Sequence, residues 1–264
     1  MATIYTLVNQ KGGVGKTTTT INLGAYLAHY GQKVLLVDID PQSNSTSCLG
    51  VDKHKVDTGT YEALLRGEDI NDSILYNGRL KLSLLPATPA LAGAEVELVG
   101  ELARESRLKR ALDALEEQFD YILIDCPPSL GILTLNGIVA AKDGLIIPVQ
   151  CEYLALEGLS LLSQTIDKVR KAIYPKLTIR GVVLTMYDGR TNLAKDVVAE
   201  VHKHFPKLVM KAVIPRSIRL AEAPSYGLPI LSYYPNSPGA KAYQQLAGEV
   251  LQGDGVGIPV ANGG

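Results

Sequence analysis

Cysteine is scarce in this sequence: Cys48, Cys126 and Cys151 are the only three, and they stand far apart. An odd number without C-x-x-C spacing argues against a disulfide framework and against a cysteine metal site. A reducing cytoplasm is the expected setting. Long apolar runs are missing too, and no stretch approaches the ~18 residues of a membrane-spanning helix. The opening ATIYTLVNQ has no basic n-region and no cleavage site, so no signal peptide is expected. No linker, repeat or low-complexity segment divides the chain. One domain over residues 1–252 is expected, with GDGVGIPVANGG (253–264) as a flexible tail. Excess charge is also absent. The formal net charge is −1, which by itself indicates no polyanionic partner.

What is present is an ordered text. Hydrophobic residues make up 46% of the chain, enough for a sizeable core. Charge is unevenly spread: residues 1–165 carry 13 Lys+Arg against 20 Asp+Glu, and residues 166–220 carry 12 against 4. Such asymmetry fits a basic binding face, and equally fits solvated helix faces that drifted in charge. Strand and helix patterns alternate. TIYTLVN (3–9), KVLLVDID (33–40), LKLSLLP (80–86), YILIDCP (121–127), GLIIPVQ (144–150), TIRGVVLTMY (178–187) and LVMKAVIP (208–215) read as strands. Several are near-continuous apolar runs, the mark of strands buried on both faces. Helical spacing puts Ile21, Leu23, Leu27 and Ala28 inward after the first strand. It does the same for Leu108, Leu112 and Leu115, for Leu156, Leu159, Leu162, Ile166 and Val169, and for Leu193, Val197 and Val201. Ser237 and Pro238 open a final helix with Ala242, Leu246 and Val250 inward. The expected fold is α/β, a mostly parallel twisted sheet with helices on both faces. Ligands of such sheets bind at the carboxyl ends of the strands. There the segments after Asn9, Asp40 and Asp125 converge.

The first of these segments is NQKGGVGKTT (9–18). It nearly fits the phosphate-loop pattern G-x-x-x-x-G-K-[ST]. Gly15, Lys16 and Thr17 match, but Gln10 stands where the first glycine belongs, and Lys11 adds a second cation. Gly12, Gly13 and Gly15, with Val14 between, let backbone N–H groups turn toward phosphate oxygens. The following helix adds the positive end of its dipole. Lys16 is placed for the β- and γ-phosphates, Thr17 for Mg²⁺ and Thr18 for the α-phosphate. Asp125 closes a buried strand, where a carboxylate can hold the Mg²⁺ of a bound nucleotide. Asp38 and Asp40 alternate on one strand and so share a face. One could ligate or orient a metal and the other position water, or the pair could cap a loop. Thr17, Asp40 and Asp125 form the candidate metal set.

These motifs together carry a resemblance. KGGVGKTTTTINLG, VLLVDIDPQSN, DYILIDCPPSLG, IPVQCEYLALEG, the stretch around MYDGRTNLAKDV, and IPRSIRLAEAPSYGLPI resemble the ParA/Soj chromosome- and plasmid-partition ATPases. These belong to the deviant Walker A (MinD/ParA) group of P-loop proteins. The likeness runs over residues 2 to 250, and it implies ATP and Mg²⁺ as cofactors. It implies a homodimer closed face to face around two ATP molecules, with Lys11 reaching the partner's phosphates. A lysine supplied in trans to a water-poor site makes association sense ATP. The resemblance also makes Asp40 the residue that positions the hydrolytic water, Asp125 the Walker B carboxylate and 125–131 a switch loop. Pro215 and Arg216 would line the adenine, although Arg216 could equally be a structural ion-pair residue. Nonspecific double-stranded DNA binding by the dimer is implied at Arg190 and Arg219. Lys171 and Lys195, with Lys168, Arg170 and Lys203, are further candidates for that face. A ParB/Spo0J-like centromere-binding partner would stimulate slow hydrolysis, and the protein would be cytoplasmic and nucleoid-associated.

Three relatives of different function are weighed by their own residues. The membrane-bound MinD needs a basic amphipathic C-terminal helix, and no Lys or Arg follows Lys241, so no membrane is expected as partner. An iron-protein relative needs cysteines placed for a shared cluster, and Cys126 reads instead as a small buried residue beside Asp125. A tyrosine-kinase relative needs a C-terminal tyrosine cluster. Tyr226, Tyr233, Tyr234 and Tyr243 lie among prolines and a helix and read as packing.

Overall fold

The computed structural model describes residues 1–66, 70–152 and 155–258, with only the backbone for 155–158. Among the described residues, eight strands form one sheet: β1 (Thr3–Leu7), β2 (Val34–Asp38), β3 (Leu75–Asn77), β4 (Leu82–Leu85), β5 (Tyr121–Asp125), β6 (Gly144–Gln150), β7 (Ile179–Tyr187) and β8 (Val209–Pro215). Their spatial order is β3-β4-β2-β5-β1-β6-β7-β8. Every pairing is parallel except β3 with β4. β2 and β5 are buried at every position, as apolar runs covered on both faces must be.

Alternate strand residues feed two faces. Tyr5, Leu7, Leu36, Leu84 and Leu123 pack under the helices Lys16–His29 and Pro238–Gly253. Ile4, Val37, Leu85 and Ile124 pack against Leu108, Leu112 and Leu133 on the opposite side. Beyond β1, Leu145, Val149, Val182 and Leu184 meet the helices Ala155–Ala172 and Asn192–His204. The chain steps from β5 across β1 to β6, so strand order reverses beside β1. That is where a crevice opens at the carboxyl ends of such a sheet.

The structure departs from the sequence reading at several points. β3 was not legible: it has three residues, all exposed, and pairs antiparallel at the edge. Leu193 is 44% exposed, and Ala194 joins Val197 and Val201 inside, because Thr191 caps the helix through Ala194 and sets its phase. Leu156 lies outside the residues whose side chains are described. The tail does not begin at 253. Gly253 ends the last helix, and Asp254 accepts from Tyr5 Oη at 2.6 Å, Tyr121 Oη at 3.0 Å and Arg180 Nε at 3.1 Å. Val256 packs on the core, and residues 259–264 lie outside the described part. Among the tyrosines, Tyr243 is buried, whereas Tyr226 and Tyr234 are 65% and 49% exposed.

Candidate nucleotide site

The loop after β1 is fixed at its base before it turns. The Asn9 amide donates to Pro148 O at 2.8 Å, and its Oδ1 accepts from the Lys11 backbone at 3.0 Å. Gly13 and Gly15 take positive φ of 72° and 87°, the region where a side chain is strained. Thr185 of β7 donates its hydroxyl to Val14 O at 2.8 Å. The loop then enters the helix Lys16–His29, whose unpaired N–H groups face the crevice.

Lys16 is buried, and its ammonium donates to Lys11 O at 3.3 Å. Burial lowers its pKa, while the charges of Asp125 and Asp40 pull it back up. Lys11 is half-buried, and no described residue forms an ion pair with it. Asp125 is fully buried at the end of β5. Its Oδ2 accepts from Thr17 Oγ1 and from Ser45 Oγ, each at 2.7 Å, and its Oδ1 accepts from Thr20 Oγ1 at 3.4 Å. Asp38 faces it across the β2–β5 pair. Asp38 Oδ2 accepts from the Thr46 backbone and hydroxyl, both at 2.8 Å. Burial pushes both carboxyls upward, and the Asp125 charge pushes Asp38 further. Asp40 is buried at the loop that follows, and its Oδ1 accepts from Gln42 N at 2.9 Å.

These residues suit a hard, hydrated cation held beside phosphates. The Thr17 proton is committed to Asp125, which leaves the hydroxyl lone pairs for a metal. Two buried carboxylates with raised pKa supply the charge that a cation would neutralise. No cage of three or more carboxylate, His or Cys ligands exists among the described residues, so phosphate oxygens and water must complete the coordination. Asp40 hydrogen-bonds within its own loop and acts on Asp125 and Lys16 through its charge.

A cleft of about 270 Å³ adjoins the loop, lined by Gly15, Thr18, Thr185, Met186, Pro215 and Arg216 among others. Arg216 also pairs with Glu152 at 2.6 Å, the ion-pair role weighed for it. A larger groove of about 730 Å³ lies against the last helix around Arg180 and Lys241, away from these residues.

The basic candidates separate. Arg190 follows β7, Lys195 is in the first turn of the next helix, and Arg219 follows β8, so all three sit at the carboxyl edge with the loop. Lys171 ends the helix that returns from β6 to β7, which carries it to the opposite edge. Arg190 is chelated by Asp188 through Nε at 2.8 Å and Nη2 at 2.6 Å. Arg219 pairs with Glu222 at 2.7 Å and lies over Tyr234, 5.1 Å from the ring centre.

Sequence reasoning missed Asn9, Thr20, Ser45, Thr46 and Thr185. The run QSNST after an expected strand was the available signal for Ser45 and Thr46, but such runs usually only cap turns.

Residues 2–179 match the family described as AAA domain. The sporulation initiation inhibitor protein Soj of Bacillus subtilis is 55% identical over 95% of this chain and 98% of its own. The chromosome-partitioning ATPase Soj of Thermus thermophilus is 51% identical over 93% and 94%. A crystal structure named cobyrinic acid a,c-diamide synthase, from Mycobacterium smegmatis with bound ADP and magnesium, covers 100% of both chains at 38% identity and a TM-score of 0.84. By its P-loop, its sheet and these relatives, the chain belongs to the Soj/ParA family of chromosome-partitioning ATPases.

Proposed function

We propose that this ATPase is an ATP-gated DNA clamp for segregation, and the arrangement of Lys11, Lys16, Thr17 and Asp125 carries that reading. Lys16, Thr17 and Asp125 make one buried phosphate and Mg²⁺ site from a single chain. Lys11 is left half-buried on the loop with no ion-pair partner among the described residues. Its ammonium is available to a second copy, where a γ-phosphate in a shared, dry site would need another counter-charge. ATP then favours the homodimer, Asp40 positions the attacking water, and loss of the γ-phosphate releases the switch loop 125–131. Pro215 and Arg216 hold the base.

Double-stranded DNA is the cargo in this reading, bound through its backbone by Arg190, Lys195 and Arg219. Pairing two copies doubles the phosphate contacts, so affinity rises steeply on dimerisation and falls steeply with salt. A ParB/Spo0J-like partner accelerates hydrolysis, and the protein works in the cytoplasm on the nucleoid. None of the described helices is long and apolar enough to cross a membrane.

The test is DNA retention by wild type and Asp40→Ala, with ATP and with ADP, across a salt series. Retention should require ATP, strengthen in Asp40→Ala and drop steeply with salt. ATP-driven dimers that retain no DNA in any state would refute the cargo.

A further inference from the structure

The loop that carries Asp40 is closed on itself. Asp38, at the end of β2, grips Thr46 through both its backbone N–H and its hydroxyl. Between them, Asp40 N donates to Asp38 Oδ1 at 3.1 Å, Gln42 N to Asp40 Oδ1 at 2.9 Å and Ser43 N to Asp40 O at 2.7 Å. Ser43 is held at φ 55°, a conformation that persists only where its surroundings over-determine it. The Thr46 hydroxyl also accepts from Ala87 N at 3.0 Å, which fixes the loop's far end to the segment after β4. Residues 38–46 therefore form a small rigid body with Asp40 inside it.

Ser45 gives that body one more attachment. Successive helical side chains point about 100° apart, so Ser45 and Thr46 face different carboxylates. Thr46 meets Asp38, and Ser45 reaches Asp125 at 2.7 Å. Asp125 Oδ2 is the same atom that holds Thr17. Both Ser45 and Thr46 are fully buried, so water cannot replace either bond cheaply.

We propose that Ser45 and Thr46 are positioning residues that couple the Asp40 loop to the metal-side carboxylate. Thr46 closes the loop on Asp38, and Ser45 ties it to the Asp125 oxygen that holds Thr17. The inference rests on the Mg²⁺–nucleotide reading of the site. A cation drawn to Thr17 and Asp125 changes the charge on the oxygen that Ser45 grips, and the rigid loop transmits that change to Asp40. Neither hydroxyl touches the reacting atoms in this scheme. Each acts through a carboxylate.

The test has two independent arms. In the first, wild-type chain is followed by amide hydrogen exchange with ADP alone and with ADP plus Mg²⁺. ADP alone should protect residues 12–18, and adding Mg²⁺ should add protection over residues 39–46. In the second, Ser45→Ala should bind Mg²⁺-free ADP as wild type does. Its apparent Mg²⁺ constant should rise about 10-fold or more, the usual consequence of removing an outer-shell partner. At saturating Mg²⁺ its kcat should fall while KM for ATP holds. Thr46→Ser, which keeps the hydroxyl, should retain activity, and the isosteric Thr46→Val should lose kcat about 10-fold. An unchanged Mg²⁺ constant in Ser45→Ala, or no Mg²⁺ effect on residues 39–46, overturns the coupling. If Ser45→Ala does not fold, the wild-type exchange decides alone. Failure of ADP to protect residues 12–18 would instead overturn the nucleotide reading, and the coupling with it.

Discussion

Replacing Asp254 by Ala should destabilise the nucleotide-free protein by about 3 kcal/mol, the loss seen when one partner of a buried charge pair is removed. The residue lies past the last helix, where the sequence suggests only a loose end. Its carboxylate nevertheless accepts from two tyrosines and one arginine, and its side chain is 11% exposed. Truncation strands the Tyr121 hydroxyl, leaves the Tyr5 hydroxyl only its bond from Arg180 Nε at 3.0 Å, and removes the counter-charge of the Arg180 guanidinium. Each charge-assisted bond is worth ~1.5–3 kcal/mol, and each stranded buried donor carries a further penalty. Solvent limits the total, because Arg180 also lines the open groove beside the last helix and can be partly rehydrated. Arg180 keeps its bond to Val250 O at 3.1 Å. For a domain of this size, the loss corresponds to a fall of roughly 6–12 °C in Tm. Urea and thermal melts of wild type, Asp254→Ala and Tyr5→Phe, with the double variant, would measure it. The cycle should return a coupling above about 0.5 kcal/mol, as residues in one network do. A loss below about 1 kcal/mol, within reach of an ordinary surface substitution, would refute the anchoring and return residue 254 to the tail.

The pH dependence of stability follows from the facing carboxyls. Burial raises Asp125 to about 6, and burial with the Asp125 charge raises Asp38 to about 7. Both lie above their unfolded values near ~4, so the folded chain binds more protons and stability is lost as pH rises from about 4 to 7. Without nucleotide and Mg²⁺, the urea midpoint should fall across that window and Asp38→Asn should flatten the fall; a midpoint that rises with pH would refute this. In DNA retention with ATP, Arg190→Ala and Arg219→Ala should each weaken binding and reduce the salt slope by about 1 per chain, while Lys171→Ala should leave both unchanged. Equal losses at Lys171 and Arg190 would refute the division between the two edges of the sheet.

The central strands could be read from the text because burial on both faces leaves a one-dimensional mark. VLLVD and YILID are apolar at every position before the terminal carboxylate, and those carboxylates are the two that face each other. The loop could be read because phosphate geometry demands glycine at positions of positive φ. Elements held by long-range polar contacts left no such mark. Ser45 and Thr46 matter through Asp125 and Asp38, 80 and 8 residues away in sequence. Asp254 matters through Tyr5, 249 residues away. Nothing local separates such a residue from a solvated one. The basic stretch 166–220 shows the converse. Its composition is correct, but a βαβ return carries Lys171 to one edge and the turn into the next helix puts Arg190 at the other.

Charge counts hide a second feature with consequences for gating. Arg190 is 89% exposed, yet two of its nitrogens already bond to Asp188. Arg219 is likewise paired with Glu222. Each guanidinium is oriented outward, but each is locally neutralised, so a single chain projects little attraction over a Debye length. A phosphate approaching either arginine must share it with a carboxylate, which reduces the gain from each contact. Binding through such residues becomes favourable only when several contacts form at once. Two copies held on one surface meet that condition and one copy does not. Under the proposed function, the acidic partners therefore sharpen the dependence of DNA binding on dimerisation, and so on ATP. Removing them would strengthen binding and at the same time loosen its control.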